Sequence, residues 1–449
     1  MLEYLKRNGQ FAVMLLIWLA AGFVHSMAGV AVVTVSILLL KKKEMYSELI
    51  SGFILILILS DSFKPALHFA KEVKIIYLIL LTLFYFFDRK SFKKQDSFFP
   101  PFIPFLVWAC FQIMRGPEFG VAVQKTISYG LIFLIGPAYS IKLFTDKGTI
   151  FIKDHVFLMS FMLAIGLLLF VVANNQVVVG DRYSGVMGNP NAIGLFCMLF
   201  FMLIYSAQIK FPGLFTKNEQ VLLYGLIAVS VLLSGSRNTI ISIGIFLFFS
   251  RFYKLSPLLG TAIVILTAIV YQLVVSNLTE ILTSLGLAKA MRADTLESGS
   301  GRLVAWAWAW KFINADIKNF FLGMGFGFDE YYFIISHHIL SKLGHIGGVH
   351  NSYLAIWINT GIIGLILWFA AFLRTIIKAI PKAYTALPFM YAILFSAFFE
   401  AWLMGSLNPY TITFLFVLCI IYTDSNSFAD RKPQTSVLAA EPAAPTALK

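Results

Sequence analysis

Apolar stretches of the length needed to cross a bilayer recur along almost the whole chain, and this one feature limits the fold more than any other. They fall at roughly 11–23, 26–40, 48–63, 72–87, 100–114, 124–143, 154–174, 192–210, 219–234, 238–253, 257–275, 351–373, 384–404 and 408–423. A composition that is 59% hydrophobic and 13% charged, with mean hydropathy +0.83, does not belong to a soluble globular domain. The expected fold is therefore all-α, a polytopic membrane protein with about 12–14 transmembrane helices. The lower number applies if the two short runs around His25 form one long or re-entrant element.

Charge orients the bundle. A formal net charge of +13 could suggest nucleic acid, but the basic residues lie in short loops between apolar runs, so no nucleic-acid partner is expected and membrane lipids are. Alternate loops carry Lys41–Lys43, Arg89 to Lys94, Lys142 to Lys153, Lys210 and Lys217, Arg251 and Lys254, and Arg374 to Lys382, whereas the intervening loops carry far fewer. Short Lys/Arg-rich loops mark the cytoplasmic side, which puts the N-terminus inside. No cleavable signal peptide is evident, and the first run reads as a retained anchor. Cys110, Cys197 and Cys419 all lie in apolar segments without CxxC spacing and read as packing residues. Four regions follow: an N-terminal transmembrane bundle over 1–275, a long outer loop with short helices over 276–349, C-terminal transmembrane helices over 350–423, and a Ser/Pro/Ala-rich disordered tail over 424–449.

This orientation gathers Arg182, Arg237, Arg302 and His350 on the outer face. The three arginines occupy Gly/Ser-rich turns at expected helix N-termini, where free N–H groups and the positive dipole end favour an anion and guanidinium can grip phosphate by two bonds. Together they read as a diphosphate clamp. Arg237, in a tight turn, and Arg302 rank above Arg182, which has Asp181 beside it. An interfacial arginine that merely reaches lipid headgroups is the plain alternative.

His350 opens His350-Asn351, nine residues, Gly361-Ile-Ile-Gly364. On a continuous helix the two glycines would share the histidine's face, let a neighbouring helix approach, and so fix the imidazole as a general base. His337, His338, His345 and His350 are close in sequence, yet the HEXXH pattern is absent, and no metal is expected. Trp306, Trp308 and Trp310 suggest a helix along the membrane surface. Gly323-Met-Gly325-Phe-Gly327 lacks the spacing of a nucleotide loop and reads as a turn. Asn189-Pro190-Asn191 reads as a helix cap without a second matching box. Glu400, at the outer end of a late span, is a candidate partner for an arginine or for an acceptor.

In order along the chain, Gly188-Asn-Pro-Asn191, Ser234-Gly-Ser-Arg237, Ser300-Gly-Arg302 with its tryptophans, Leu322 to Gly327 and His350-Asn-x9-Gly-x2-Gly364 resemble the O-antigen ligase and O-antigen polymerase superfamily of bacterial envelope glycosyltransferases. The likeness covers the C-terminal half best. It implies a GT-C type enzyme in the inner membrane that uses no cofactor, nucleotide sugar or metal. Such an enzyme moves a glycan from undecaprenyl diphosphate, at the periplasmic face and with inversion, to lipid A–core in a ligase or to a second lipid-linked glycan in a polymerase. In that reading His350 is the base, and Arg237, Arg302 and Arg182 hold the diphosphate. His337, His338, Asn351 and Glu400 support the acceptor side. The complete histidine motif favours the ligase, and a polysaccharide transporter is the alternative of another class.

Overall fold

A computed structural model describes residues 2–62, 64–92, 98–251, 256, 258–267, 269–270, 302–342 and 348–424. A helix stands at every one of the apolar runs. In chain order they are α1 (Leu2–Val24), α2 (Ser26–Lys42), α3 (Tyr46–Ser60), α4 (His68–Phe87), α5 (Ile103–Gln112), α6 (Phe119–Lys147), α7 (Thr149–Val172), α8 (Pro190–Lys210), α9 (Lys217–Ser234), α10 (Arg237–Arg251) and α11 (Leu258–Thr267). Between these and the last spans come α12 (Arg302–Ile313), α13 (Ile317–Leu322) and α14 (Phe328–Lys342). The last helices among the described residues are α15 (Ser352–Ala379), α16 (Ala386–Phe399) and α17 (Pro409–Tyr422). The protein is an all-α polytopic membrane protein. Among the described residues, five helices are by themselves long and apolar enough to cross a bilayer: α6, α7, α8, α15 and the Arg7–Val24 part of α1. His25 separates α1 from α2 and accepts from the Met27 N–H through its side chain, so the first two runs are distinct helices packed as a hairpin.

Three short apolar helices, α3, α16 and α17, lie deepest. Every residue of α3 and α17, and almost every residue of α16, is buried by protein. Helices that are apolar on all sides belong in the middle of a bundle. At 14 residues each, α16 and α17 span about 21 Å, less than a hydrocarbon core of about 30 Å, so their ends stop inside the bundle and leave a depression. Irregular backbone at such depth is tolerated where it lines a polar cavity.

The two ends of the bundle differ in chemistry. At one end the lysine-rich turns tie the helices together through Lys147 with Glu48 at 3.7 Å, Lys153 with Glu219 at 3.1 Å, Lys382 with Asp424 at 3.7 Å, Lys41 with Asp88, and Lys210 with the Ile420 carbonyl at 2.6 Å. Arg7 pairs with Asp154 there too, which places the start of the chain at this end. The helices α3, α8 and α17 run from these contacts to the opposite end, where Asp61, Asn189 and Asn408 flank a cavity. That opposite end also holds Arg182, Arg302 and His350, the grouping expected from loop charge.

One expectation about the histidine motif is corrected. His350 precedes α15 rather than starting it, and α15 breaks at Gly361 (φ +70°, ψ 178°), so there is no continuous face joining the three residues. What approaches Gly361 is the last turn of the short helix α13 and the glycine loop that follows it. A Cβ at Gly361 would lie 2.1 Å from the Phe321 carbonyl oxygen, and one at Gly323 would lie 2.4 Å from the Gly361 nitrogen. Into this break the Met324 N–H donates to the Ile358 carbonyl, and the Gly325 N–H to that of Asn359. The Asn359 side-chain oxygen accepts from the N–H groups of Gly327 and Asp329. The turn expected at Gly323–Gly327 is therefore present, and its positive-φ glycines serve close backbone packing.

Candidate active site

A cavity of about 700 Å³ opens between the ends of α3, α8, α12, α16 and α17 and the segment before α15. Arg302, the first residue of α12, donates from Nη2 to Glu400 Oε1 at 2.8 Å. The other oxygen of Glu400 meets His350 Nδ1 at 3.0 Å. A carboxylate can only accept, so Nδ1 carries the proton and Nε2 is the basic nitrogen of this imidazole. Glu400 is itself anchored by its backbone, whose carbonyl accepts from Ser352 Oγ at 2.6 Å.

His350 holds φ +46°, a left-handed backbone costly for a non-glycine residue and found disproportionately at functional sites. Asn351 follows as the buried N-cap of α15, accepting from the Leu354 N–H at 3.0 Å, so its role is to start the helix behind the histidine.

Arg182 reaches the same cavity by a route the turn reading does not foresee. It sits on a small antiparallel hairpin, β1 (Val178–Val179) and β2 (Arg182–Tyr183), closed by Gly180 and Asp181, both at positive φ. Its Nε donates to the Ser234 carbonyl at the end of α9 at 2.7 Å, and its Nη2 to Asn191 Oδ1 at 3.2 Å. Arg237 starts α10 in the turn that holds Arg182, but it is not among the described residues that wall the cavity. The structure thus brings Arg182 and Arg302 together with His350 around the cavity, and Arg237 does not line it. His337 and His338 are exposed on α14, away from the cavity wall, and His345 lies outside the described residues.

Sequence reading missed three cavity residues. Asn408-Pro409 is a second Asn-Pro cap: Asn408 accepts from the Thr411 N–H as Asn189 accepts from that of Ala192. The positive ends of α8 and α17 therefore both face the cavity. Matching the two Asn-Pro pairs was possible from sequence. Asp61, between them, accepts from the Gly188 N–H at 3.4 Å and the Tyr410 hydroxyl at 3.1 Å. The tryptophans of α12 make protein contacts, Trp306 packing on Phe398, Trp308 donating to Ser336 Oγ at 3.0 Å and Trp310 meeting Trp357, while Leu303 and Trp310 leave one face of the helix exposed.

Residues 222–369 match the family model described as O-antigen ligase. That segment, about a third of the chain, is similar to the O-antigen ligase family. No curated protein matches it. The ligase-family segment runs from α9 to the middle of α15 and contains Arg237, Arg302 and His350, while Arg182 and Glu400 come to the cavity from outside it. Enzymes of this superfamily are glycosyltransferase-like, act on lipid-linked glycans and are embedded in a membrane.

Proposed function

We propose that this cavity is the active site of an O-antigen ligase of the GT-C type, which transfers a glycan from undecaprenyl diphosphate to a sugar hydroxyl of lipid A–core at the periplasmic face of the bacterial inner membrane. The observation that carries the reading is the chain Arg302–Glu400–His350 at the mouth of two helix N-termini. Arg302 and Arg182, with the dipole ends of α8 and α17, bind the diphosphate and stabilise the charge that grows on it as the sugar–phosphate bond breaks. Arg237, in the turn that anchors Arg182, is the third proposed member of the clamp. His350 Nε2 takes the proton from the acceptor hydroxyl, whose oxygen attacks the anomeric carbon opposite the departing diphosphate and inverts it. Glu400 orients the imidazole and stabilises the imidazolium that forms. His337 and His338 on α14 are proposed to stand on the acceptor side, and no step requires a metal or nucleotide.

The test supplies purified protein with the carrier-linked glycan and either lipid A–core or a second carrier-linked unit. A single band shift on lipid A–core, lost in His350→Ala and Arg302→Ala, is the expected result. A ladder on the carrier would make the protein a polymerase with the same site. Movement of labelled lipid without a new glycosidic bond would replace the enzyme by a transporter.

A further inference from the structure

A second cavity of about 360 Å³ adjoins the first, with Asn408 common to both walls. Its other polar lining is Lys74, Gln124, Lys125, Ser128, Glu330 and Ser406. Its chemistry contrasts with that of the arginine cavity. The Lys125 side chain is only 8% exposed and is neutralised where it stands, by Asp329 at 2.7 Å and Glu330 at 3.1 Å. Ser128 Oγ donates to Ser406 Oγ at 2.7 Å, and Lys74 Nζ to the Leu407 carbonyl at 3.4 Å. Two ammonium groups and the Glu330 carboxylate thus line the cavity, with Asp329 pairing Lys125 from outside its wall, and the Ser128, Ser406 and Asn408 side chains are held by hydrogen bonds. Such a lining suits a polyhydroxylated ligand, because it offers donors, a carboxylate acceptor, hydroxyls and amides but no guanidinium fork of the kind that grips phosphate by two bonds.

Glycosyl transfer needs a second substrate whose hydroxyl reaches His350 while the diphosphate occupies the arginines. We propose that this second cavity is the subsite for the acceptor's sugar, recognised through hydroxyl hydrogen bonds to Lys74, Gln124, Ser406 and Glu330. The inference rests on the transferase reading, and it separates the two substrates by donor type: diphosphate against the guanidinium groups of Arg182 and Arg302, sugar hydroxyls against the lysine, carboxylate, hydroxyl and amide groups of the chamber. The Lys125 bridge fixes the start of α14 against α6 and so sets the width of the chamber.

The experiment measures binding, not turnover. Detergent-purified wild type, Lys74→Ala, Gln124→Ala and Arg302→Lys are titrated with three probes: dephosphorylated core oligosaccharide, free repeat-unit oligosaccharide and a short-chain polyprenyl diphosphate glycan. Thermal unfolding confirms that each variant is folded. Saturable binding of one oligosaccharide, weakened roughly tenfold by Lys74→Ala or Gln124→Ala and unchanged by Arg302→Lys, is expected, with the reverse pattern for the diphosphate probe. Core oligosaccharide as the bound sugar supports a ligase, and repeat-unit oligosaccharide a polymerase. Equal oligosaccharide binding in wild type and both chamber variants, or none by the wild type at millimolar concentration, overturns the subsite. Oligosaccharide binding at the chamber without any diphosphate binding would leave the subsite standing and refute the transferase reading.

Discussion

Glu400 accepts from a guanidinium on one oxygen and an imidazole on the other, and most of what can be asked of single residues follows from that position. Turnover should fall by about 10²–10⁴ in His350→Ala, measured at saturating donor and acceptor. Arg302→Lys keeps the charge but loses the fork, and its cost should appear as roughly tenfold weaker donor use. Of this residue-level arrangement, sequence disclosed the reactive types and their common face. It left the pairing of Glu400 with His350 open because the two are 50 positions apart and meet only when α15 packs on α16.

Individual elements were legible wherever local chemistry governs them. Apolar runs marked each span, and Asn189-Pro190 marked the start of α8, because caps and hydropathy act within a few residues. The break in α15 was not legible, since a glycine in a span is compatible with a straight helix. Only the arrival of the Phe321–Gly325 backbone demands φ +70° at Gly361. Gly361→Ala should accordingly be among the most damaging changes outside the cavity, combining a left-handed penalty of about 1–2 kcal/mol with a Cβ placed on the Phe321 carbonyl. Asn359→Ala would strand the N–H groups of Gly327 and Asp329 at about 1–3 kcal/mol. Both effects should appear as lowered unfolding temperature in detergent, and Gly244→Ala in α10, where a Cβ would meet nothing within 4 Å, gives the comparison.

At the scale of the whole molecule the bundle is a polarised object, with lysine-rich turns at one end and the catalytic candidates at the other. Three buried helices, α3, α8 and α17, connect the ends, and this joins the sidedness of the protein to its proposed chemistry. If the Lys/Arg bias sets orientation, the cavity must open away from the cytoplasm, where a carrier-linked glycan would be met after its transfer across the membrane. Cysteine labelling decides the matter. In a background with Cys110, Cys197 and Cys419 replaced by serine, Asn175→Cys samples the exposed segment before the β-hairpin and Lys217→Cys the exposed turn before α9. A membrane-impermeant maleimide applied to cells with a permeabilised outer membrane and intact inner membrane should label position 175 and spare position 217 until the inner membrane is opened. The opposite pattern would put the arginines and His350 in the cytoplasm, out of reach of a periplasmic acceptor, and would remove the proposed reaction while leaving the fold untouched.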